Sequence, residues 1–388
     1  MKKTIMTSLV AIASLQLWGA GYQVLEQGAS NMGTALAGAT TNANNDASAA
    51  FWNPSAAFFI EGDIKIDATM NFLVPYISLD DGDPTTHDGG NAGSFTYIPN
   101  MYTAARLAED WILTFSVTSP YGLVSEYDSN AFFADDAIKS ELFIIDINPS
   151  IAYKILDCLT VSAGFSAQYL YANMTSTGVE VKGNAWGFGY NLGATYEYME
   201  GGRIGVSYRS EVDHSISGNT MVLGAGTFAA TSDVTMPATI NIGIYQRFWG
   251  AFEDFALMLD YCWTGWSAFE NFNIYNETIK DSLTYENWKD TSRISFGMHY
   301  YATEDLTLRL GTAWDESPIK SAEYTTFRIP DGDRIWFSAG LGYKYHDMNF
   351  DFAYTYIIFN DAYINNGDVV GKYESSAHVL SFQVGFTF

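Results

Sequence analysis

The C-terminal stretch Leu380-Ser-Phe-Gln-Val-Gly-Phe-Thr-Phe388 decides the fold, because apolar residues alternate with small or polar ones along its whole length. Side chains on a β-strand point to opposite faces in turn, so this alternation predicts a strand with one apolar face. Thirteen earlier runs repeat the pattern. They begin near residues 64, 100, 111, 142, 159, 184, 203, 235, 254, 292, 306, 334 and 348, and the C-terminal run begins near residue 376. The sequence therefore predicts fourteen strands.

The connections between these runs alternate strictly between short and long. The short ones lie near residues 109–110, 157–158, 199–202, 249–253, 304–305 and 346–347. The long ones span roughly 74–99, 120–141, 172–183, 215–234, 265–291, 315–333 and 359–375. Outer-membrane barrels have short periplasmic turns and long outer loops. We therefore predict an all-β, transmembrane antiparallel β-barrel of about fourteen strands over residues 64–388, with both termini on the periplasmic side.

A soluble β-sandwich or propeller is the alternative to a membrane barrel. The outward face of a soluble sheet would be rich in Lys and Glu, whereas the second face of these strands carries mainly Gly, Ser, Thr and Asn. The apolar face is rich in Tyr, Phe and Trp near the strand ends, as the aromatic girdles of a membrane barrel require. Both observations favour the barrel.

The overall composition excludes several classes of protein. The chain has 388 residues, of which 16% are charged and 16% aromatic; soluble domains carry about 25% charged residues. So apolar a chain is not disordered. With 19 Lys and Arg and a net charge of −25, it lacks the basic surface of a nucleic-acid-binding protein. Beyond residue 20 we find no apolar stretch long enough for a transmembrane helix.

Residues 1–20 have the features of a secretory signal peptide. Lys2 and Lys3 precede an apolar run from Ile5 to Leu17, and the small residues Gly19 and Ala20 follow. An uncleaved helical anchor is the alternative, but the apolar run is too short to span a bilayer. The exact cleavage site stays open, because position 17 or 18 would place a large residue where a small one is usual.

Residues 21–63 do not follow the strand pattern. They are rich in Ala, Gly, Asn and Ser, and Met32, Leu36 and Ala39 are spaced as on a helix. Such a segment could be a periplasmic tail, or it could fold inside the barrel. Because about eight strands leave space only for side chains whereas about fourteen leave room for a plug, we predict that residues 21–63 form a hatch in the lumen.

A search for catalytic and metal motifs finds none. The sequence contains no G-x-S-x-G, H-E-x-x-H or G-x-x-x-x-G-K-[ST] pattern, and its five histidines are scattered. We therefore predict no catalytic residue, no metal ligand and no cofactor. The rival is an outer-membrane lipase or protease with a Ser or Asp nucleophile beside a His. Cys158 and Cys262 could form one disulfide, although two unpaired thiols are favoured.

Acidic residues cluster in the predicted outer loops, and they have two interpretations. They are Asp80, Asp81, Asp83, Asp88, Asp135, Asp136, Asp331 and Asp333. Divalent ions could bridge them to lipopolysaccharide, or they could simply be solvated; the second interpretation is favoured because no Ca²⁺-loop spacing is present.

Four cations fall on the lumen-facing register of the strands: Lys154, Arg209, Arg309 and Lys344. In a water-filled pore they would be ordinary lining. Beside an apolar pocket, each could hold the carboxylate head group of a substrate. A structural salt bridge to Asp260 or Glu197 is a third role, and the sequence leaves these alternatives open.

Several motifs together resemble the FadL family of outer-membrane transporters for long-chain fatty acids and aromatic hydrocarbons. They are Gly21-Tyr-Gln-Val, Asn53-Pro54-Ser55 (Asn-Pro-Ala in the family), and the stretches 147–154, 186–193, 205–210 and 329–334. The resemblance implies a fourteen-stranded barrel with an N-terminal hatch, gated at Asn53, Pro54 and Ser55. It also implies an outer apolar groove, an inner pocket, and a lateral exit where a strand is kinked.

The function implied by this resemblance is a passive channel for hydrophobic molecules. Long-chain fatty acids are the first expectation, and neutral aromatic hydrocarbons are the alternative. The expected partners are these small molecules, outer-membrane lipid and lipopolysaccharide, and the expected state is a monomer. A purely structural or adhesive barrel is a further rival, which the Gly-rich lumen face and the hatch-like segment argue against.

Overall fold

The computed structural model describes residues 21–83, 85–277, 279–365 and 369–388. The signal peptide predicted at residues 1–20 lies outside the described residues. Within them the strands are β1 (Ile64–Asp80), β2 (Thr96–Ala108), β3 (Trp111–Thr118), β4 (Gly122–Glu126), β5 (Lys139–Leu156), β6 (Leu159–Ser176), β7 (Val179–Met199), β8 (Gly202–Arg209), β9 (Val212–Val222), β10 (Gly226–Met236), β11 (Thr239–Arg247), β12 (Phe255–Thr264), β13 (Asn271–Asn276), β14 (Ser282–Tyr285), β15 (Thr291–Tyr301), β16 (Leu306–Asp315), β17 (Arg334–Tyr345), β18 (Met348–Phe359), β19 (Ala362–Asn365) and β20 (Val370–Thr387).

The helices of the described residues are short. They are α1 (Ala29–Met32), α2 (Ala49–Trp52) and the 3₁₀ helices Pro54–Phe59, Gly250–Phe252, Trp266–Ala268 and Ala322–Tyr324. None of these helices has the length and apolar character needed to cross a bilayer.

Fourteen of the strands form one closed antiparallel barrel, which confirms the predicted fold. The order around the barrel is β1, β2, β3, β5, β6, β7, β8, β11, β12, β15, β16, β17, β18 and β20. The first and last strands close it, with pairs running from Lys65–Thr387 to Asp80–Lys372. Each predicted run lies on one of these strands.

The prediction of a long loop at 172–183 was wrong. Strands β6 and β7 continue past the barrel to Ser176 and Val179, and only two residues connect them. Gly178 makes this tight turn with a φ of +71°, a conformation that glycine adopts without steric cost. Parts of other predicted loops are also strands: β9 pairs with β10, and β13 pairs with β14.

The two faces of the barrel wall have opposite character, as β5 illustrates. Ile145 and Ile147 are exposed on the outside, whereas Asp146 and Asn148 are buried on the inside. An outward apolar band and a polar interior are the arrangement of an outer-membrane barrel. The wall thus places polar side chains around the segment that fills the lumen.

The N-terminal segment packs inside the barrel, and small barrel residues make this possible. Met32, Leu36 and Ala47 are fully buried. The backbone of Gly33 lies so close to Gly340 on β17 that a Cβ atom on Gly340 would be 2.8 Å from the Gly33 Cα atom. A larger residue there would overlap the hatch, so the Gly-rich lumen face provides the space it fills.

Candidate functional site

Carboxylates on the barrel wall bind backbone amides of the hatch. Asp260 on β12 accepts hydrogen bonds from the Gly38 N–H at 2.6 Å and the Thr40 N–H at 3.1 Å. Asp67 on β1 accepts one from the Ala47 N–H at 2.6 Å. These contacts fix the hatch at separate points of the wall.

The Asn53-Pro54-Ser55 element joins the hatch to β7. The Asn53 side-chain amide donates to the Thr40 carbonyl at 2.9 Å and to the Thr195 hydroxyl at 3.1 Å. Ser55 donates to the Asn53 side-chain oxygen at 2.7 Å, so the residue that departs from the family pattern adds a bond. Pro54 begins a 3₁₀ helix, where its missing N–H costs nothing.

The third barrel strand is interrupted between β3 and β4, at residues 119–121. β2 pairs with β3, but residues 96–100 of β2 pair only with β1, and β4 pairs only with β5. The kinked backbone bonds to the start of the hatch instead: the Val24 N–H donates to Pro120 and the Gly122 N–H donates to Tyr22. The hatch therefore takes the place of a strand partner beside a gap in the wall.

Five aromatic side chains meet in the outer half of the lumen, and we call them the aromatic neck: Tyr22, Tyr121, Trp266, Phe269 and Trp288. All five are buried. The Tyr22 ring centroid lies 4.7 Å from that of Trp266 and 5.3 Å from that of Phe269. The other four come from breaks between strands, so the neck forms only when the N-terminal segment is in place.

The cavities differ sharply in size. The outer vestibule, bordered by Phe272, Leu283, Tyr285, Glu286, Tyr324, Phe327 and Arg328, has about 690 Å³. The upper pocket has about 30 Å³ and is lined by Tyr22, Leu123, Leu142, Phe269, Phe272, Glu286, Arg328 and Ile329. The inner pocket also has about 30 Å³ and is lined by Leu25, Phe51, Trp52, Tyr121, Arg209, Met236 and Cys262, among others. Ligand pockets usually have about 300–1,000 Å³, so only the vestibule of these three can hold a ligand without movement.

The structure places Arg209 at the inner pocket and shows what its side chain contacts. Its guanidinium donates to the Phe51 carbonyl at 2.6 Å and to Asp146 at 3.3 Å, and it lies 4.3 Å from the Phe51 ring centroid. The partner carboxylate is thus Asp146, not the Asp260 or Glu197 considered from the sequence. Arg209 is the predicted cation that borders an apolar pocket.

Arg309, Lys154 and Lys344 lie elsewhere, so the structure does not bring the four predicted cations together. Arg309 pairs with Asp351 at 2.6 Å and borders a cavity of about 350 Å³ at the periplasmic end, which Lys344 also lines. Lys344 pairs with Glu61. The Lys154 ammonium lies 5.5 Å from the Phe58 ring centroid.

Sequence reasoning missed the carboxylate that anchors the start of the hatch. The sequence favours a solvated loop for Asp331, but the residue is buried and accepts hydrogen bonds from the Gly21 N–H at 3.0 Å and from Arg334 at 2.6 Å. Burial raises the pKa of Asp331, and the Arg334 charge opposes that shift. A Cβ atom on Gly21 would clash with the Trp288 ring, so glycine is required there.

Two further residues at the upper pocket also escaped prediction, Arg328 and Glu286. Arg328 donates to the Lys139 carbonyl at 3.2 Å and the Ser140 hydroxyl at 3.0 Å. Glu286 is 4% exposed, and burial raises its pKa to about 7. Neither lies on an alternating strand, so the sequence pattern could not place them.

The two cysteines are unpaired; Cys158 is half-buried and Cys262 is buried at the inner pocket. Within the described ranges, no group of three or more His, Cys, Asp or Glu side chains is placed to hold a metal ion. The acidic residues Asp81 and Asp83 bind backbone and hydroxyl groups of their own exposed loop.

Comparison with known proteins decides the family. The sequence model described as "Outer membrane protein transport protein (OMPP1/FadL/TodX)" matches residues 10–388. The chain belongs to this family. FadL-family relatives include the long-chain fatty acid transport protein of Salmonella typhi, which is 26% identical over 434 residues, covering 100% of this chain and 98% of the relative. Outer membrane protein P1 of Haemophilus influenzae is 27% identical, and the match covers 90% of this chain and 89% of that protein.

Solved FadL-family structures share the fold. A Pseudomonas aeruginosa FadL homologue superimposes with a TM-score of 0.87 at 22% identity, covering 95% of this chain and 100% of that one. The Ralstonia pickettii toluene transporter TbuX gives a TM-score of 0.69 at 18% identity, and the match covers 93% of this chain and 99% of that one. The predicted resemblance to the FadL family is confirmed, and the chain is an outer-membrane transport protein.

Proposed function

We propose that the chain is a passive channel for long-chain fatty acids, which bind in the vestibule and cross when the hatch moves. The observation that carries this proposal is the contrast between an outer vestibule of about 690 Å³ and inner and upper pockets of about 30 Å³ each. A ligand can bind outside, but it advances only if the neck and hatch shift. Burying each CH₂ contributes about 0.8 kcal/mol, so an alkyl chain provides the driving force.

The proposed route ends at the wall rather than at the periplasmic face. Residues 22–24 of the hatch bond to the kink between β3 and β4. Displacing them frees the gap between β2 and β4 and the neck at the same time, because Tyr22 belongs to both. The substrate then leaves sideways into the membrane.

Neutral aromatic hydrocarbons are the second candidate substrate. The structures of toluene transporters with the same fold and the aromatic neck favour it. A competition measurement separates the two candidates: the fatty acid proposal expects oleate to bind more tightly than toluene, and the reverse order would move the assignment to hydrocarbons.

We also propose that the chain acts as a monomer beside outer-membrane lipid and lipopolysaccharide, and that it is not an enzyme. Its relatives are transport proteins. Saturable hydrolysis of a long-chain ester by the purified protein would contradict the last point, and a dimer mass in native mass spectrometry would contradict the first.

Replacing Arg209 by Ala is expected to weaken binding of a long-chain fatty acid more than binding of its methyl ester. The expected difference is about 1.5–3 kcal/mol, the range for a hydrogen bond to a charged group. The variant also loses the ion pair with Asp146, but this structural effect changes the binding of both ligands equally and so cancels when acid and ester are compared. Dissociation constants for acid and ester, measured in parallel, test this.

Arg309→Ala is the matched control, because Arg309 is likewise buried and paired with one aspartate but does not line the inner pocket. It should change the two constants equally. Equal losses in the Arg209 variant would mean that this arginine only supports the barrel.

Replacing Asn53 by Ala is expected to reduce uptake while the barrel still assembles. The change leaves the Thr40 carbonyl without its donor, at a cost of about 1–3 kcal/mol for a buried group. Phe51 and Trp52, which line the inner pocket, immediately precede Asn53 and would lose their fixed position. Uptake of labelled oleate and heat-modifiable mobility in SDS are the two measurements. Ser55→Ala, which restores the family motif, is the control and should transport normally.

A further inference from the structure

Three buried donors of the aromatic neck have no partner among the described residues. They are the Tyr22 hydroxyl and the indole N–H groups of Trp266 and Trp288. Leaving a buried donor without a hydrogen bond costs about 1–3 kcal/mol. An arriving group that accepts hydrogen bonds would recover this energy, whereas a hydrocarbon would not. The neck therefore matches the head group of a substrate as well as its chain.

The carboxyl group of Glu286 lies next to the neck. Glu286 borders both the outer vestibule and the upper pocket, between the place where a ligand binds and the neck it must pass. Glu286 lies two residues before Trp288 of the neck. An ionised Glu286 would repel a second carboxylate at close range, and two carboxyls sharing a site do not both ionise.

We infer that the neck admits a fatty acid carboxylate only together with one proton, which the head group shares with the carboxyl of Glu286. This inference rests on the proposed function as a fatty acid channel. It assigns Glu286 as the residue that selects the protonation state, with the Tyr22, Trp266 and Trp288 donors completing the head-group site.

The other charged groups facing Glu286 are compatible with this role. On the hatch it faces Tyr22; on β5 it shares the upper pocket with Glu141, which pairs with Lys139 at 3.1 Å. From the connection after β16, Arg328 lines the same pocket, donates to backbone carbonyls and a hydroxyl, and has the charge of Asp136 beside it. Arg328 and Glu141 are thus each compensated by a neighbour, Asp136 and Lys139 respectively.

The direction of the pH dependence follows from burial. Because the pKa of Glu286 is raised to about 7, the free protein carries the proton below pH 7 and can offer it to an arriving carboxylate. Above pH 7 the proton must come from solution, so association slows by about tenfold for each pH unit. An alcohol with the same chain brings no charge, and its association should not depend on pH.

The test measures association rates of dodecanoate and dodecanol with the purified full chain in nanodiscs by stopped-flow tryptophan fluorescence between pH 5.5 and 9. We expect the association rate of dodecanoate to be constant up to about pH 6.5 and then to fall about tenfold for each pH unit. The rate for dodecanol should be constant over the whole range. Glu286→Gln should abolish the decline and bind dodecanoate about 30-fold faster than the unmodified chain at pH 8.5.

Glu141→Gln is the matched control, since it removes a carboxyl that lines the same pocket but is already paired with Lys139; it should keep the decline. A pH-independent dodecanoate rate, the same slope for dodecanol, or a slope retained in Glu286→Gln would each overturn the inference while leaving the channel proposal intact. Absence of saturable binding by both ligands would overturn the channel proposal and the inference with it. The comparison of acid with alcohol needs no variant, so a folding defect in Glu286→Gln does not remove the test.

Discussion

Deletion of residues 21–60 is expected to convert the closed channel into an open pore for ions and small polar solutes. The hatch fills a lumen whose walls carry Asp146, Arg209, Asp260 and Arg309, and water enters such a polar interior readily. About fourteen strands enclose more space than side chains can fill, so we expect planar-bilayer conductance to rise about tenfold or more. The deletion also removes Tyr22 and therefore opens the neck.

A matched deletion makes this result specific. Removing residues 223–225, at the exposed tip of the β9–β10 hairpin, shortens the chain without removing a residue that lines the vestibule, and its conductance should equal that of the intact protein. If the hatch deletion conducts no better than this control, the hatch is not the barrier to permeation. Protection of residues 21–60 from periplasmic protease in the intact protein gives an independent check.

Alternation along the strands was sufficient to predict the barrel, because burial on a two-sided wall repeats every two residues. Each strand of the barrel was found, as was the inward direction of Arg209, Arg309 and Asp260. The prediction of a long loop at 172–183 was wrong because the β6–β7 hairpin extends beyond the membrane, where no lipid imposes strong alternation on the sequence. Gly178 alone is too weak a signal to mark the turn.

The candidate site was less predictable because it is built from segments far apart in the chain. Tyr22, Tyr121, Trp266 and Trp288 lie in four different irregular segments, and no periodicity relates them. The partner of Arg209 could not be chosen from the sequence either, since Asp146, Asp260 and Glu197 are equally placed by alternation. Only strand order brings Asp146 on β5 to Arg209, and Asp260 to the hatch instead.

Loss of the last three residues, Phe386 to Phe388, is expected to prevent assembly of the barrel in the outer membrane. These residues close it: Phe386 pairs with Ile66 on one side and Met348 on the other. The Phe388 carbonyl accepts from the Asp63 N–H at 2.9 Å, and its N–H donates to Ile64 at 2.9 Å. β20 is the strand that joins β1 to β18, so the deletion removes two of its pairs with β1 and one with β18 at the periplasmic end of the seam.

The Phe388 ring separates two explanations for this effect, because it is 69% exposed and stabilises the folded chain little through packing. Phe388→Ser keeps the terminal backbone bonds and removes only the ring. If the terminal aromatic residue is itself the assembly signal, Phe388→Ser should lose most of the compact form that resists cold SDS and shifts on boiling, while Phe388→Tyr should retain it. If backbone closure alone matters, both variants assemble and only the three-residue deletion fails. Normal insertion of the deletion itself would refute the need for the last three residues, since β20 would then close the barrel through its remaining pairs with β1 and β18.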